Sequence, residues 1–262
     1  MIKFFRNIRK QLLDEGKTGK YFKYAIGEIV LVVIGILIAL QINNWNEHRK
    51  TNQALKIALS NIINDLQSDH KKLKEENKTV SFRFHSMQYL LKTSGNTIYD
   101  ADADESVIPS FRKDNETWDK NIPTDYDKEF IQLAFLWSHR TANIRSNKST
   151  LEELKSTGMY SYISRDLKLD LSNYYNKWDN YFKDIVNKLA EDWQESLGED
   201  GFLNSDTYQL DDPLSLIKDN PKRVNLLKRM IRETGWRLVG LKDMGDISMD
   251  FITSIEQEIN SL

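Results

Sequence analysis

One ionisable side chain, that of Glu28, lies inside the most apolar stretch of the chain, residues 24–42. A carboxylate within a membrane segment is expensive and is typical of proton or ion relays. Glu28 comes only one turn after the start of this stretch, where it can reach water or pair with Lys20 or Lys23. A structural or packing role is therefore favoured, and a functional intramembrane carboxylate is the alternative.

A second group of carboxylates resembles the beginning of a calcium-binding loop. Asp100, Asp102 and Asp104 occupy what would be its first, third and fifth positions. Such a loop needs Gly at the sixth position and Glu at the twelfth, but Glu105 and Phe111 stand there. The pattern therefore predicts a solvated acidic turn.

The remaining residue types that support catalysis or metal binding lack the necessary spacing. The chain has no Cys, and its four histidines show neither H-x-x-x-H nor H-E-x-x-H spacing. No G-x-S-x-G, Walker or G-x-G-x-x-G pattern occurs. The sequence thus identifies no catalytic, cofactor-binding or metal-ligating residue, and it favours a protein that is not an enzyme. The histidines are His48, His70, His85 and His139.

The densest aromatic cluster falls within a predicted helix. Its members recur at helical spacing, which favours packing in a core. Tyr and Trp also line ligand pockets between the helices of bundles, so a ligand site is the alternative interpretation. The cluster comprises Tyr174, Tyr175, Trp178, Tyr181 and Phe182.

Residues 24–42 have the length and composition of a transmembrane helix. Nineteen helical residues rise about 28 Å, close to the hydrocarbon thickness of a bilayer. Aromatic residues flank the stretch at Tyr21 and Phe22 on one side and at Trp45 on the other, as expected at lipid headgroup level. No small-residue cleavage site follows, which favours an uncleaved anchor over a signal peptide.

The distribution of charge predicts how this anchor is oriented. Residues 1–23 carry seven Lys or Arg against two Asp or Glu, and the rest of the chain carries a net charge of −7. The positive-inside rule therefore places the N-terminus in the cytoplasm and the C-terminal part outside it. In a Gram-negative bacterium this corresponds to an anchor in the inner membrane and a C-terminal part in the periplasm. The basic segment 1–23 is either an amphipathic helix on the inner leaflet or a topology signal only. The acidic remainder disfavours nucleic-acid binding.

One face of the predicted span carries small residues. Gly27, Leu31, Gly35 and Ala39 recur at four-residue spacing, and Gly35 and Ala39 form a small-xxx-small pair. Such a face allows two spans to approach closely. The lipid bilayer is thus one expected partner, and a second copy of the chain or another envelope protein is the other.

The rest of the chain, residues 43–262, predicts an antiparallel helical bundle. No Gly or Pro occurs between Gly35 and Gly95, so the span is expected to continue into a long stalk helix. Its heptad-like apolar stripe favours one helix of an intramolecular bundle over an intermolecular coiled coil. Residues 94–123 predict a long loop, and Ser164 to Gly198 predict one long helix. The expected fold class is all-α.

The N-terminal sequence resembles a family of uncharacterised bacterial proteins that have one span and an extracytoplasmic helical region. The segments MIKFFRNIRKQLL and KYFKYAIGEIVLVVIGILIALQINNWNEHR carry the resemblance, which continues more loosely over Leu151–Trp178. This family has no assigned activity, so the resemblance implies topology without a mechanism.

These observations together predict a membrane-anchored periplasmic protein that acts as an interaction or scaffolding component of the cell envelope. One alternative is a ligand-sensing bundle that signals through a partner. The other is an accessory subunit of an ion-driven membrane complex that uses Glu28.

Overall fold

The computed structural model of the chain describes residues 18–97, 110–111, 117–141 and 143–262, apart from the side chains at positions 20 and 21. These residues form helices, turns and loops, and the described ranges contain no strand. The all-α fold class is therefore confirmed. Most of the basic segment 1–23 and the acidic run 100–105 lie outside the described residues.

The chain divides into two compact units, Met1–Ile57 and Ala58–Leu262. Helix α1, Thr18–Thr93, begins in the first unit and ends in the second. It ends where Gly95 adopts a positive φ of 83° and donates its N–H to the carbonyl of Lys92 at 3.0 Å. Glycine takes this left-handed conformation without steric cost, which explains the position of the helix end. The predicted limits of the span at 24 and 42 fall inside α1 and remain predictions.

The described residues of the second unit form six further α-helices. They are α2 (Lys128–Ser138), α3 (Ser149–Ser156), α4 (Arg165–Tyr181), α5 (Ile185–Gly198), α6 (Ser215–Lys218) and α7 (Pro221–Ser261). Two 3-10 turns, Met159–Tyr162 and Asn204–Gln209, lie between them. The described residues between α1 and α2 form no helix, in agreement with the predicted loop.

Helix starts agree with the sequence where a local cap exists. Ser164 accepts the N–H of Leu167 at 3.2 Å, and Asn220 accepts that of Arg223 at 3.1 Å ahead of Pro221. Ser149 and Glu152 have the spacing of a capping box, which predicts Ser149 as the residue before a helix. This prediction is wrong, because Ser149 is itself the first residue of α3. The cap comes from elsewhere in the unit, as described below.

The single long helix expected from Ser164 to Gly198 is also wrong. It is divided by residues 182–184 into α4 and α5. In one continuous helix, Ile185 would follow Trp178 and Phe182 on the apolar face, but after the break Val186 is buried and Ile185 is 47 % exposed. Both helices pack against α7. The last residue of α4 is Tyr181, whose side chain lies directly against Gly240 of α7.

The helices of the second unit pack in antiparallel pairs. His70 of α1 bonds to Gly245 and Ser248 of α7. Arg83, which comes later in α1, lies near Arg237, which comes earlier in α7. The two helices therefore run in opposite directions. Along α4 and α7, Tyr174 contacts Phe251, and Tyr181 contacts Trp236. The apolar stripe of α1 within this unit is buried, as its heptad-like spacing predicted: Leu59, Ile62, Leu66, Leu73, Val80, Phe84, Met87 and Leu91.

Candidate functional sites

The aromatic cluster of α4 lies mainly in the core. Tyr174, Tyr175 and Trp178 are at most 6 % exposed, whereas Tyr181 and Phe182 are half-buried. The ring of Trp178 packs edge-on against Phe182, with 5.1 Å between centroids. The structure therefore brings all five residues together on one side of α4, and three of them are closed to solvent.

Polar atoms of the cluster hold the segment that precedes α3. The indole N–H of Trp178 donates to the carbonyl of Ile144 at 3.2 Å, and the hydroxyl of Tyr175 donates to the carbonyl of Asn147 at 3.2 Å. The hydroxyl of Tyr174 is buried and makes no hydrogen bond. The cluster thus fixes residues 143–148 against α4, which is a structural role.

Two open grooves border this cluster. One, of about 340 Å³, is lined by Tyr174 and Lys177 of α4 and by Phe251 of α7. The other, also about 340 Å³, lies beside Trp178 and Phe182. Because Tyr174 and Trp178 present little surface to either groove, the predicted ligand site at the cluster remains a prediction.

Two carboxylates of α1 meet the same segment from the opposite side. Both oxygens of Asp69 accept the N–H of Asn147 at 3.0 Å. Asp65, one turn earlier, accepts the side-chain amide of Asn147 at 2.6 Å and the N–H of Thr150 at 3.3 Å. Asp65 thereby satisfies one free N–H at the start of α3, and Oδ1 of Asn147 accepts the N–H of Ser149 at 3.2 Å, so these two side chains replace the cap expected from Ser149. The i, i+4 spacing of the two Asp residues is visible in the sequence, but their partner is not.

Burial changes the ionisation of this network. Asp69 is 0 % exposed, and burial raises its pKa to about 6 although the N–H of Asn147 and the nearby Lys72 oppose the shift. Burial also raises the pKa values of Tyr174 and Tyr175, and the negative charge of Asp69 adds to both shifts. At the edge of the cluster, burial and a 2.8 Å hydrogen bond to Asp243 raise the pKa of Tyr181 to about 12.

A buried cation marks the contact between α1 and α2. The guanidinium of Arg83 is 2 % exposed and donates from Nε to the carbonyl of Ser138 at 2.8 Å. This carbonyl belongs to the last residue of α2, where the helix dipole favours a positive charge. Burial, together with the charge of Arg237, lowers the pKa of Arg83 to about 9. The arrangement stabilises the end of α2.

A larger groove, of about 450 Å³, lies between α1 and α7 within the second unit. Its rim carries His70, Lys74 and Lys78 from α1 and Lys242 and Asp246 from α7. Nδ1 of His70 lies 3.1 Å from the carbonyl oxygen of Gly245, so this nitrogen carries the proton and donates across the groove wall. The only sequence signal for this groove is the four-residue spacing of His70, Lys74 and Lys78, which places them on one face of α1.

The small-residue face of the first unit is open. A Cβ atom added to Gly27 or Gly35 would meet nothing within 4 Å, and Leu31 and Ala39 are exposed. Glu28, next to Gly27, is half-buried on the same helix. These positions allow a second helix to approach, but they do not identify it, so self-association and a role for Glu28 remain predictions.

The described residues offer no ready-made metal centre, because no three His, Cys, Asp or Glu side chains among them converge. The acidic run Asp100, Asp102 and Asp104 lies outside these residues.

Comparison with known proteins identifies one family. Residues 28–106, which are 79 of the 262 residues, match a family of unknown function, DUF6090. An uncharacterised family is what the N-terminal resemblance implied, although the basic residues before 28 and the segment Leu151–Trp178 lie outside the match. No curated protein and no solved structure matches the chain.

Proposed function

We propose that the protein is a single-pass, membrane-anchored component of the cell envelope, whose helical second unit lies outside the cytoplasm and serves as an interaction scaffold. The observation that carries this proposal is the complete exposure of one long apolar segment. α1 is long and apolar enough to cross a membrane, and none of its most apolar 18-residue window is buried.

The exposed apolar surface is too large to leave in water. Twelve large aliphatic side chains between residues 26 and 42 are each 46–62 % exposed. The largest apolar patch on a typical soluble monomer covers roughly 300–600 Å², well below what twelve such side chains present together. A hydrocarbon environment removes this cost, and a helix satisfies its own backbone hydrogen bonds there. The lipid bilayer is therefore the partner of this segment.

The charges on either side of the segment support the orientation. The net charge is +5 before residue 24 and −7 after it, and a positive flank is retained on the cytoplasmic side. We therefore assign the N-terminus to the cytoplasm and residues 43–262 to the periplasmic side of an inner membrane.

The interaction role is supported by the open face at Gly27, Leu31, Gly35 and Ala39. A Gly or Ala face lets two helices pack backbone to backbone within lipid. We propose a second copy of the chain, or another envelope protein, as the partner at this face. In this proposal the second unit serves as a rigid body, because its buried polar networks hold helices together, as at Asp69 and Arg83.

Alkaline carbonate extraction of isolated membranes, followed by protease treatment of spheroplasts, tests this proposal. We expect the chain to stay in the carbonate pellet and its C-terminal part to be digested without permeabilisation. Recovery of the chain in the carbonate supernatant would refute anchoring. Protection of the C-terminal part until the membrane is opened would refute the orientation.

A ligand-sensing body that signals through a partner is the second candidate function. The groove between α1 and α7 favours it, because its volume of about 450 Å³ exceeds that of either groove beside the aromatic cluster. The aromatic cluster favours it less, since Tyr174 and Trp178 are core residues. A thermal-shift screen of the whole chain in nonionic detergent separates the two functions: stabilisation by a small molecule supports sensing, whereas co-purification of a partner protein supports scaffolding.

A further inference from the structure

The groove between α1 and α7 combines positive charge with accessible space. Three lysines, Lys74, Lys78 and Lys242, border it, and Asp246 supplies the opposing carboxylate. Lys242 pairs with Asp246 at 2.9 Å, whereas Lys74 is exposed and forms no ion pair with a described residue. The groove therefore keeps a net positive charge within a region that is acidic overall.

The floor of the groove is apolar. The surface that lines the groove is mainly carbon, although Leu73 of α1 and Leu241 of α7 at its base are themselves at most 3 % exposed. A fully hydrated inorganic ion gains nothing from such a floor, whereas an organic molecule buries carbon against it. The lining thus fits a ligand that has both an anionic group and an apolar part.

Gly245 keeps the groove open, and the fold does not otherwise require a glycine there. Glycine inside a helix costs about 1 kcal/mol relative to alanine, so it usually has a packing reason. Gly240 has such a reason, because an added Cβ would lie 2.7 Å from the Tyr181 side chain. An added Cβ at Gly245 would meet nothing within 4 Å. A side chain at this position would instead project into the space that the groove provides.

We propose that this groove binds a small amphiphilic anion, a carboxylate or phosphate ester joined to an apolar group. The anionic group lies against Lys74, and the apolar group lies over Leu73, Leu241 and the bare backbone of Gly245. The hydrogen bond from His70 to the Gly245 carbonyl holds the two helices at the spacing that forms the site. This inference is independent of the membrane anchor.

Calorimetric titration of the full chain in phosphatidylcholine nanodiscs tests the proposal, with phenyl phosphate as the probe. Benzyl alcohol and inorganic phosphate serve as probes of the apolar and anionic parts alone. We expect saturable binding of phenyl phosphate and weaker binding of each fragment. Repeating the titration in discs that contain phosphatidylglycerol distinguishes the sources: competition identifies a lipid headgroup as an occupant, and unchanged affinity identifies a soluble ligand.

Four variants connect the binding to the groove. Lys74→Gln should weaken it about threefold, as expected for one partly exposed charge. Gly245→Leu should abolish binding by filling the space, and circular dichroism should confirm that the helices remain. Asp246→Asn should strengthen binding, because it removes the opposing carboxylate. Loss of folding would weaken binding and so cannot explain such a gain. Lys71→Gln, on the same helix but outside the groove and beside Glu75, is the matched control and should change nothing.

Absence of saturable binding to the unmodified chain would overturn the proposal. Equal effects of Lys74→Gln and Lys71→Gln would also overturn it, because binding would then follow total charge. Binding of inorganic phosphate as tight as that of phenyl phosphate would refute the apolar part of the assignment.

Discussion

Both carboxylate oxygens of Asp69 lie 3.0 Å from the backbone nitrogen of Asn147, 78 residues further along the chain. Together with Asp65, which accepts the N–H of Thr150 in α3, this carboxylate fixes the segment that precedes α3, whose other side is held by Tyr175 and Trp178. The two sides together explain why residues 143–148 are ordered although they form no regular structure.

The ionisation of Asp69 predicts a pH dependence of stability. Its pKa is about 6 in the folded chain and 3.8 in the absence of burial, so the folded state binds a proton that the unfolded state lacks between these values. The contribution of Asp69 to stability is therefore greatest below pH 4 and falls, by about 3 kcal/mol at most, as the pH rises through 6. Asp69→Asn should remove this part of the pH profile in thermal melts at pH 4.5 and 7.

Glu191, exposed on α5, supplies the control for this profile. Glu191→Gln should leave the pH profile unchanged. A slope in the Asp69→Asn variant equal to that of the parent chain would show that Asp69 is not the group responsible.

Two adjacent tyrosines predict opposite effects of losing a hydroxyl. Tyr175→Phe removes a hydrogen bond to the Asn147 carbonyl and should lower the free energy of unfolding by about 1 kcal/mol. Tyr174→Phe removes a buried hydroxyl that has no partner and should leave stability unchanged or increase it. Denaturant melts of the two variants side by side check this difference; a greater loss in Tyr174→Phe would contradict the arrangement.

Two glycines of α7 predict a second contrast. Gly245→Ala should stabilise the chain by about 1 kcal/mol, because it adds helix propensity in open space. Gly240→Ala should destabilise it, since the new methyl group would collide with the ring of Tyr181. Melting temperatures of the two variants, measured in the same detergent, test these opposite changes in stability. Stabilisation by Gly240→Ala would show that Tyr181 does not cover this position.

Much of this fold could be predicted from local signals. The apolar stripe of α1, the caps at Ser164 and Asn220 and the left-handed glycines at 95 and 158 all act over a few residues. The division of α4 from α5 could not be predicted, because no Gly or Pro marks residues 182–184 and the break accompanies packing against α7. The cap of α3 was missed for the same reason: Asp65 and Thr150 meet only in the folded chain.

The candidate sites, like the fold, could be predicted where the signal is local and not where it depends on tertiary packing. Aromatic spacing placed Tyr174, Tyr175 and Trp178 on one helical face correctly, but it did not distinguish a core from a pocket. The groove between α1 and α7 needs two faces that are about 170 residues apart in sequence, and His70 meets Gly245 only through tertiary packing.

Glu28 distinguishes a scaffold from an ion-driven subunit. Under the scaffold account, Glu28→Gln should leave both the carbonate-resistant amount of the chain and its cross-linked partners unchanged. Leu31→Arg, which places a charge deeper in the segment, should reduce the inserted amount because a central arginine costs about 3 kcal/mol or more. Loss of a membrane phenotype in Glu28→Gln at normal abundance would instead support the ion-driven alternative.

The central claim, an anchor with the second unit outside the cytoplasm, is tested most directly by single-cysteine labelling. The chain contains no Cys, so Thr18→Cys and Ser161→Cys each introduce one exposed thiol, before and after the apolar segment. We predict that a membrane-impermeant maleimide labels Ser161→Cys in intact spheroplasts and labels Thr18→Cys only after permeabilisation. Labelling in the reverse pattern, or of both thiols in a soluble fraction, would contradict the account.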